Sequence, residues 1–432
     1  MTARANPARP TPPFLFLFLD LPFGAAVGYL SIVLPFWMQG RGYGLAEIAL
    51  VTAGANTAHA FKLAWVPLLD LGAHRKAWYL AMCGVSTALF VVTAAIPDPL
   101  GDLGLLAVLL TLLQASAATA HAANNTLMAT TTRFEDKGRV GGFAMASNIG
   151  STGLLAWLAL EAAQRFSVRA AFLGLAAVTA ASALLALRIV ELRPDADVMP
   201  ARGAIVRAGR HLASMARDLW TTVRSREGFT GLLICLAPVG CQAMSNLFSG
   251  VSDQYGLSER ARLVGVVNGL GGGLAAAAGA LAGGVLADRM NRRLAYALSG
   301  GITGLVALLM ALAPMTAATY GLGVIGYQFA GGIAFATWAG MVLEMVGLTA
   351  AAATKYALFN ASLSFAIAWV TFLDGHLGEA LARALAIPTA RGALLVDAAL
   401  TLLGITFLLA MVAVLRRGAT PRAGPPVRTA PR

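Results

Sequence analysis

The sequence predicts an all-α integral membrane protein, with twelve transmembrane helices in two pseudo-symmetric six-helix bundles. Three observations lead there. The chain is 58% hydrophobic and 12% charged over 432 residues, about half the roughly 25% charged fraction of a soluble domain. Its mean hydropathy is +0.72, and apolar runs of about 20 residues, enough for a bilayer core, recur along it. The first half is also echoed in the second at a nearly constant offset.

The apolar runs place α1 to α6 at 14–39, 46–69, 76–97, 103–130, 138–163 and 169–190. They place α7 to α12 at 228–252, 261–287, 294–314, 318–346, 353–377 and 392–416. Residues 1–13 form a polar, Pro-rich N-terminal tail, and 417–432 a disordered C-terminal one. No small-residue cleavage site follows the first tail, so α1 is expected to be retained. Between the halves, 191–227 is a polar linker. Ile205, Leu212, Met215, Leu219 and Val223 recur there at helical spacing, with Arg207, Arg210, Arg217 and Arg224 largely off that stripe. This pattern suits an amphipathic helix lying on the membrane surface.

Charge position sets the orientation. With both termini cytoplasmic, seven of the 32 Lys and Arg fall in outer loops: Arg41, Arg165, Arg169, Arg260, Arg262, Arg383 and Arg391. Lys62 lies within α2, and the rest face the cytoplasm. That asymmetry predicts a multi-pass protein of the inner (plasma) membrane with its termini and linker inside. The net charge of +12 sits in short inter-helix loops without interleaved aromatics, which argues against nucleic acid and for the anionic leaflet. Cys83, Cys235 and Cys241 lie inside apolar runs with no metal spacing, and read as packing residues.

The repeat has three anchors. Pro22-Phe23-Gly24 in α1 returns as Pro238-Val239-Gly240 in α7, 216 residues on. Arg139 and Phe143 match Lys355 and Phe359 at the same offset, and Asp70 matches Asp288 at 218. Two copies of one six-helix plan imply a site at mid-membrane between them. The loop after α8, Gly284-Val285-Leu286-Ala287-Asp288-Arg289-Met290-Asn291-Arg292-Arg293, resembles the major facilitator loop motif. Its first-half copy keeps Asp70, Arg75 and Lys76. An acid at a helix end followed by bases can latch to a neighbouring helix end in one conformation and release in another. Positive-inside charge alone accounts for Arg292 and Arg293 but not for the acids. Gly265, Gly269 and Gly273, then Gly279 and Gly283, suit close helix contact along α8.

Within that superfamily the chain resembles the AmpG-like permeases, the branch of muropeptide permeases and acetyl-coenzyme A transporters. The resemblance rests on Leu21-Pro22-Phe23-Gly24, on Phe61-Lys62-Leu63-Ala64-Trp65-Val66-Pro67-Leu68-Leu69-Asp70, and on Ala353-Thr354-Lys355-Tyr356-Ala357-Leu358-Phe359-Asn360-Ala361. It implies a major facilitator fold working as a monomer, with α1, α4, α7 and α10 around a cavity. Where muropeptide permeases are expected to carry carboxylates in α4, this chain has His121, Asn124 and Asn125. Related branches that carry ferric siderophores keep an organic metal chelate open as substrate.

Ionisable groups within the membrane are costly and point to function by default. Asp20 in α1 and Lys62 in α2 lie at similar depth, so an Asp20–Lys62 pair is expected, either a structural ion pair or a proton site tuned by the lysine. His121 joins them as a proton-coupling candidate, because histidine ordinarily titrates near neutral pH. Gln114, His121 and Asn125 share one face of α4, and Gln242, Asn246, Ser249 and Asp253 one face of a continuous α7. With Asn124, and with Tyr327, Gln328 and Trp338 from α10, these are the expected substrate contacts. Interhelical hydrogen bonding is the competing explanation for each. The combined expectation is a secondary transporter for a small organic solute, coupled to protons, without cofactor, metal or catalytic residue. The alternative is a non-transporting assembly or sensor protein on the same fold. A membrane enzyme would need a convergent nucleophile–base or metal constellation that the sequence does not show.

Overall fold

The computed structural model describes residues 11–65, 69, 75–132, 137–191, 213, 216–217, 219–257, 260–346 and 352–417. Among these residues the regular structure is helical throughout. In the first half α1 spans Leu15–Gly40 in four pieces, followed by α2 (Leu45–Phe61, extended by a 3₁₀ turn at Lys62–Ala64), α3 (Arg75–Ala95), α4 (Leu103–Thr131), α5 (Lys137–Arg165) and α6 (Val168–Ala186). In the second half α7 begins at Arg226–Leu236, followed by α8 (Ala261–Arg289 in three pieces), α9 (Arg292–Leu312), α10 (Ala317–Val346), α11 (Ala352–Leu385) and α12 (Thr389–Arg417). Nine of the described helices are long and apolar enough to cross a membrane.

Side-chain acceptors mark several starts. Asp102 accepts from Leu105 N at 3.0 Å to open α4, and Ser167 accepts from Ala170 N at 3.1 Å to open α6. Ser225 opens α7 by accepting from Gly228 N at 3.0 Å, and Asn291 opens α9 through Arg293 N and Leu294 N. Each satisfies helix-end amides that have no partner inside the helix.

The repeated Pro-x-Gly breaks both lead helices. In α1 the break is a single residue, Asp20, between Leu15–Leu19 and Leu21–Gly28. Proline has no N–H to offer the carbonyl one turn back, and other helices supply the missing donors. Ser147 of α5 donates to Leu17 O at 2.6 Å, Ser182 of α6 to Phe18 O at 2.7 Å, and Tyr79 of α3 to Leu19 O at 2.8 Å. A Cβ on Gly24 would overlap Ser151, so the helix resumes flush against α5.

In α7 the break is an interruption. Helix ends at Leu236, Gly240 and Gln242 take positive φ of 56° and 60°, and the chain continues as 3₁₀ segments at Ala243–Asn246 and Phe248–Tyr255. This corrects the continuous helix expected over 228–252. Because helical spacing does not hold past Leu236, the i, i+4, i+7, i+11 stripe from Gln242 to Asp253 does not exist; Asp253 is exposed while Ser249 is buried. Helix boundaries also move: α2 ends at Phe61 rather than 69, and α6 at Ala186 rather than 190. Helix α11 continues to Leu385 rather than 377, and α12 starts at Thr389 rather than 392. Of the predicted linker stripe, Leu219 and Val223 are described, and Val223 packs against the C-terminal half; Ile205, Leu212 and Met215 lie outside the described residues.

The halves share one apolar core at the end away from the chain termini. There Tyr29, Val33 and Ile48 of the first half pack in one cluster with Met244, Phe248 and Tyr320 of the second. At the termini end each half keeps its own cluster, around Phe16, Tyr79 and Leu127 in the first and around Cys235, Tyr296 and Trp338 in the second. Glycines allow the close crossings. Gly153 of α5 meets Gly269 of α8, Gly279 and Gly283 of α8 meet Phe329 and Ile333 of α10, and Gly375 of α11 meets Ala49 of α2. Contact between α11 and the first half continues down to Lys62–Ala64.

Candidate functional site

The break in α1 presents Asp20, 1% exposed, toward α4. Its Oδ1 lies 2.7 Å from His121 Nδ1 and accepts from Asn124 Nδ2 at 3.4 Å, while its Oδ2 is buried without a partner. Lys62 is not its partner, which corrects the expected pair. Lys62 falls in the 3₁₀ turn beyond α2, where it lies within electrostatic reach of His59. His59, which gave little signal in the sequence, belongs to the same neighbourhood. Its Nε2 lies 2.9 Å from Gln114 Oε1, and the Phe23 ring stands between the two histidines, stacked on His121 at 4.4 Å and edge-on to His59 at 5.6 Å. Gln114 itself is fully buried and donates to Ala26 O at 2.8 Å, so its amide links α1, α2 and α4.

The histidine geometry defines a proton position. With Nδ1–H donated to Asp20, Nε2 accepts from Asn125 Nδ2 at 3.0 Å, which is the neutral tautomer. Asn125 is exposed and the His121 side chain is 22% exposed, whereas Asp20 is shut in.

In the second half, the left-handed turn at Gln242 aims its amide across α10. Gln242 Nε2 donates to Gln328 Oε1 at 3.1 Å, in a space that any Cβ on Gly331 would fill. Asn246 donates to Thr371 Oγ1 at 3.2 Å, and Thr371 donates to Ala243 O at 3.3 Å, tying α11 to the irregular segment. Gln242, Gln328 and Asn246 therefore come together, by a turn rather than by a helical stripe. Asn124, Tyr327 and Trp338 are fully buried. Trp338 packs among the C-terminal core residues, beside Phe335 and Tyr356. Tyr327 donates at 3.0 Å to Asp397, a buried carboxylate of α12 that the sequence reading did not single out.

The two loop copies differ. In the first, Glu191 accepts from the amides of Arg75 and Lys76 at 3.1 and 3.0 Å, and Lys76 Nζ donates to Leu187 O and Ile189 O at 2.8 Å. These bonds hold the start of α3 to the end of α6, within one half. Asp70 lies outside the described residues. In the second copy Arg292 reaches Glu344 at the end of α10 at 3.5 Å, Asp288 and Arg289 are exposed beyond Gly284, and Arg293 is partly buried. At the opposite end Glu161 of α5 meets Arg262 of α8 at 3.9 Å, across the two halves.

A cavity of about 530 Å³ opens at that opposite end inside the first half, lined by Tyr29, Trp37, Arg41, Arg169 and Phe172 among others. It shares no lining residue with the Asp20 or Gln242 groups.

Comparison with known proteins bears on the fold. The family model described as Major Facilitator Superfamily matches residues 16–371. The nucleoside transporter NupG superposes with a TM-score of 0.70 at 12% identity, covering 92% of this chain and 98% of that one. The D-xylose-proton symporter gives 0.70 at 12% identity, covering 92% and 96%. A bacterial homolog of the human lysosomal transporter Spinster, inward-facing and unoccupied, gives 0.69 at 9% identity, covering 94% and 98%. None of the curated proteins compared with this sequence matches it. At these identities the structures speak for the fold alone, while the family match spans most of the chain: this multi-pass membrane protein belongs to the Major Facilitator Superfamily, a superfamily of membrane transporters.

Proposed function

We propose that the chain is a proton-coupled secondary transporter of the AmpG-like branch, moving a small organic solute across the inner membrane by alternating access with both termini cytoplasmic. The observation that carries this reading is the Asp20–His121–Asn125 relay, a buried carboxylate bonded to a histidine whose far nitrogen reaches a more exposed level. Protonation there changes the charge of a group set into the α1 break, which is what coupling requires of a site. The substrate class is muropeptide-, siderophore- or acyl-carrier-like, contacted by Asn125, Gln242, Gln328 and Asn246. The apolar core shared at one end alone supports rocking of two halves about that end. The charges at Asp70, Arg75, Lys76, Asp288, Arg289, Arg292 and Arg293 act as the gate at the other.

The test has two stages. A thermal-shift screen of purified protein against muropeptides, ferric siderophores and acyl-coenzyme A selects the ligand that stabilises the folded state. Uptake of that ligand into proteoliposomes then responds to an imposed pH gradient and stops responding in Asp20→Asn. Uptake indifferent to the gradient, or intact in Asp20→Asn, removes the proton coupling.

A further inference from the structure

A second pair of acids lies in the C-terminal half. Asp374 of α11 is 0% exposed and Asp397 of α12 is 2% exposed. Gly378 of α11 packs against Ala393 of α12, and in this antiparallel pair of helices Asp374, one turn before Gly378, falls opposite Asp397, one turn after Ala393. The two acids lie about 11 and 8 residues from the far ends of their helices, and Tyr327 about 10 from that of α10. At 1.5 Å per residue that is a common level roughly 12–17 Å deep. Among the described residues the titratable groups beside the pair are Tyr327 from α10 and Cys241 from the α7 interruption, both neutral hydrogen-bonding groups. Helix α2, packed on the same stretch of α11 at Gly375, brings Ala49 there. No salt bridge to either acid occurs among the described residues, and both oxygens of Asp374 are buried without a hydrogen-bond partner.

Two bare carboxylates cannot share such a place. An unpaired buried charge is strongly disfavoured by lost hydration, and two like charges in one site favour a state in which one of them is neutral. A carboxylic acid O–H would supply the donor these orphaned oxygens lack. We propose that Asp374 and Asp397 form a proton-carrying site, holding one proton between them at neutral pH.

The pair is also wired to the irregular part of α7. Thr371, one turn before Asp374, bonds Asn246 and Ala243 O, and Tyr327, which donates to Asp397, is adjacent to Gln328, the partner of Gln242. Proton occupancy therefore acts on the same segment that carries Gln242. That consequence for coupling rests on the transport reading above; the protonation does not.

Infrared difference spectroscopy of the whole protein in lipid reads the site without substrate. At neutral pH the C=O stretch of a protonated carboxylic acid is expected in the wild type and in Asp20→Asn. It disappears in Asp374→Asn and in Asp397→Asn, and stays when sodium chloride replaces choline chloride. Tyr327→Phe keeps both acids and shifts the band rather than removing it, which covers the case in which an Asn variant fails to fold. A wild type without the band, a band that survives both Asn variants, or a band erased by sodium at fixed pH overturns the proposal. In proteoliposomes, Asp374→Asn lowers the proton-to-substrate ratio relative to the wild type, and an unchanged ratio denies the site a part in coupling. Loss of gradient-driven uptake in Asp20→Asn alone concerns the first site, so the two failures are separable.

Discussion

The two halves solve one problem in two ways. Both lead helices are broken by the same Pro-x-Gly, and both breaks sit beside a buried acid. In the first half the break is one residue long, three hydroxyls from α3, α5 and α6 take up the freed carbonyls, and the acid has a titratable partner in His121. In the second the chain leaves helix from Ala237 to Gln242, and the acids face each other, a tyrosine and a cysteine. Duplicated sequence thus fixed where each lead helix bends. Side chains outside the repeat decided how far it opened and what charge it tolerates.

The largest expected effects test that difference in charge. His121→Ala strips the hydrogen-bond donor from a buried carboxylate and should cost about 2 kcal/mol, within the range for a hydrogen bond to a charged group. Asp374→Asn should cost far less, staying within about 1 kcal/mol of the wild type, because it puts a neutral amide of the same size in place of an acid that has no counterion and leaves the net charge of the site as it was. Melting of both variants in detergent, side by side, checks the contrast. If both lose stability equally, the halves do not differ in the way described.

Next come the glycines of the repeat. Gly24→Ala places a methyl against Ser151, whose backbone carbonyl carbon would lie 2.9 Å away. Overpacking of this kind costs about 1–3 kcal/mol. Gly240→Ala meets milder contacts, 3.1 Å to Ala334 Cβ and to Gly300 Cα, but must hold φ near 56°. The left-handed conformation costs an alanine about 1–2 kcal/mol. The loss at Gly24 should therefore be the larger, and it should be relieved by Ser151→Gly, which does nothing for Gly240→Ala. Equal rescue of both would show that the two breaks are alike after all.

Hydropathy made the twelve spans, the two halves and the close glycine contacts of α8 legible, because bilayer length and small-residue crossings leave direct traces in a sequence. The acids of the second half were hidden by helix ends. Leu377–Leu385 carries Glu379 and Arg383 and reads as loop, which puts Asp374 near a surface; the helix in fact runs on through them. Likewise a start at 392 rather than Thr389 makes Asp397 look shallow. Polar residues near a membrane face lower hydropathy without ending a helix, so depth is the quantity that pattern reading estimates worst. The Asp20 partner was missed for another reason. Equal depth on consecutive helices favours Lys62, but α2 gives way to a 3₁₀ turn at that residue, and α4 rather than α2 brings a titratable group to Asp20. The α7 stripe fails because Pro238 cannot continue the helix hydrogen bonding and Gly240, two residues on, turns the chain out of it at positive φ.

The smallest effect expected is at the closed end, where the halves touch through Glu161 and Arg262. The separation is 3.9 Å, the arginine is largely exposed, and Glu161 also holds Arg165 at 2.5 Å within its own helix. An exposed pair of this kind contributes no more than about 1 kcal/mol. Since 1.4 kcal/mol is a factor of ten in an equilibrium, Arg262→Gln should change the ratio of closed to open far end by less than about fivefold. Spin labels on the far ends of α5 and α8 would read that ratio as a distance distribution. Raising salt toward 1 M, where screening falls to about 3 Å, should produce the same small shift in the wild type and none in the variant. A much larger opening in Arg262→Gln would mean that this ion pair, and not the apolar core around Tyr29, Met244 and Phe248, holds the two halves together.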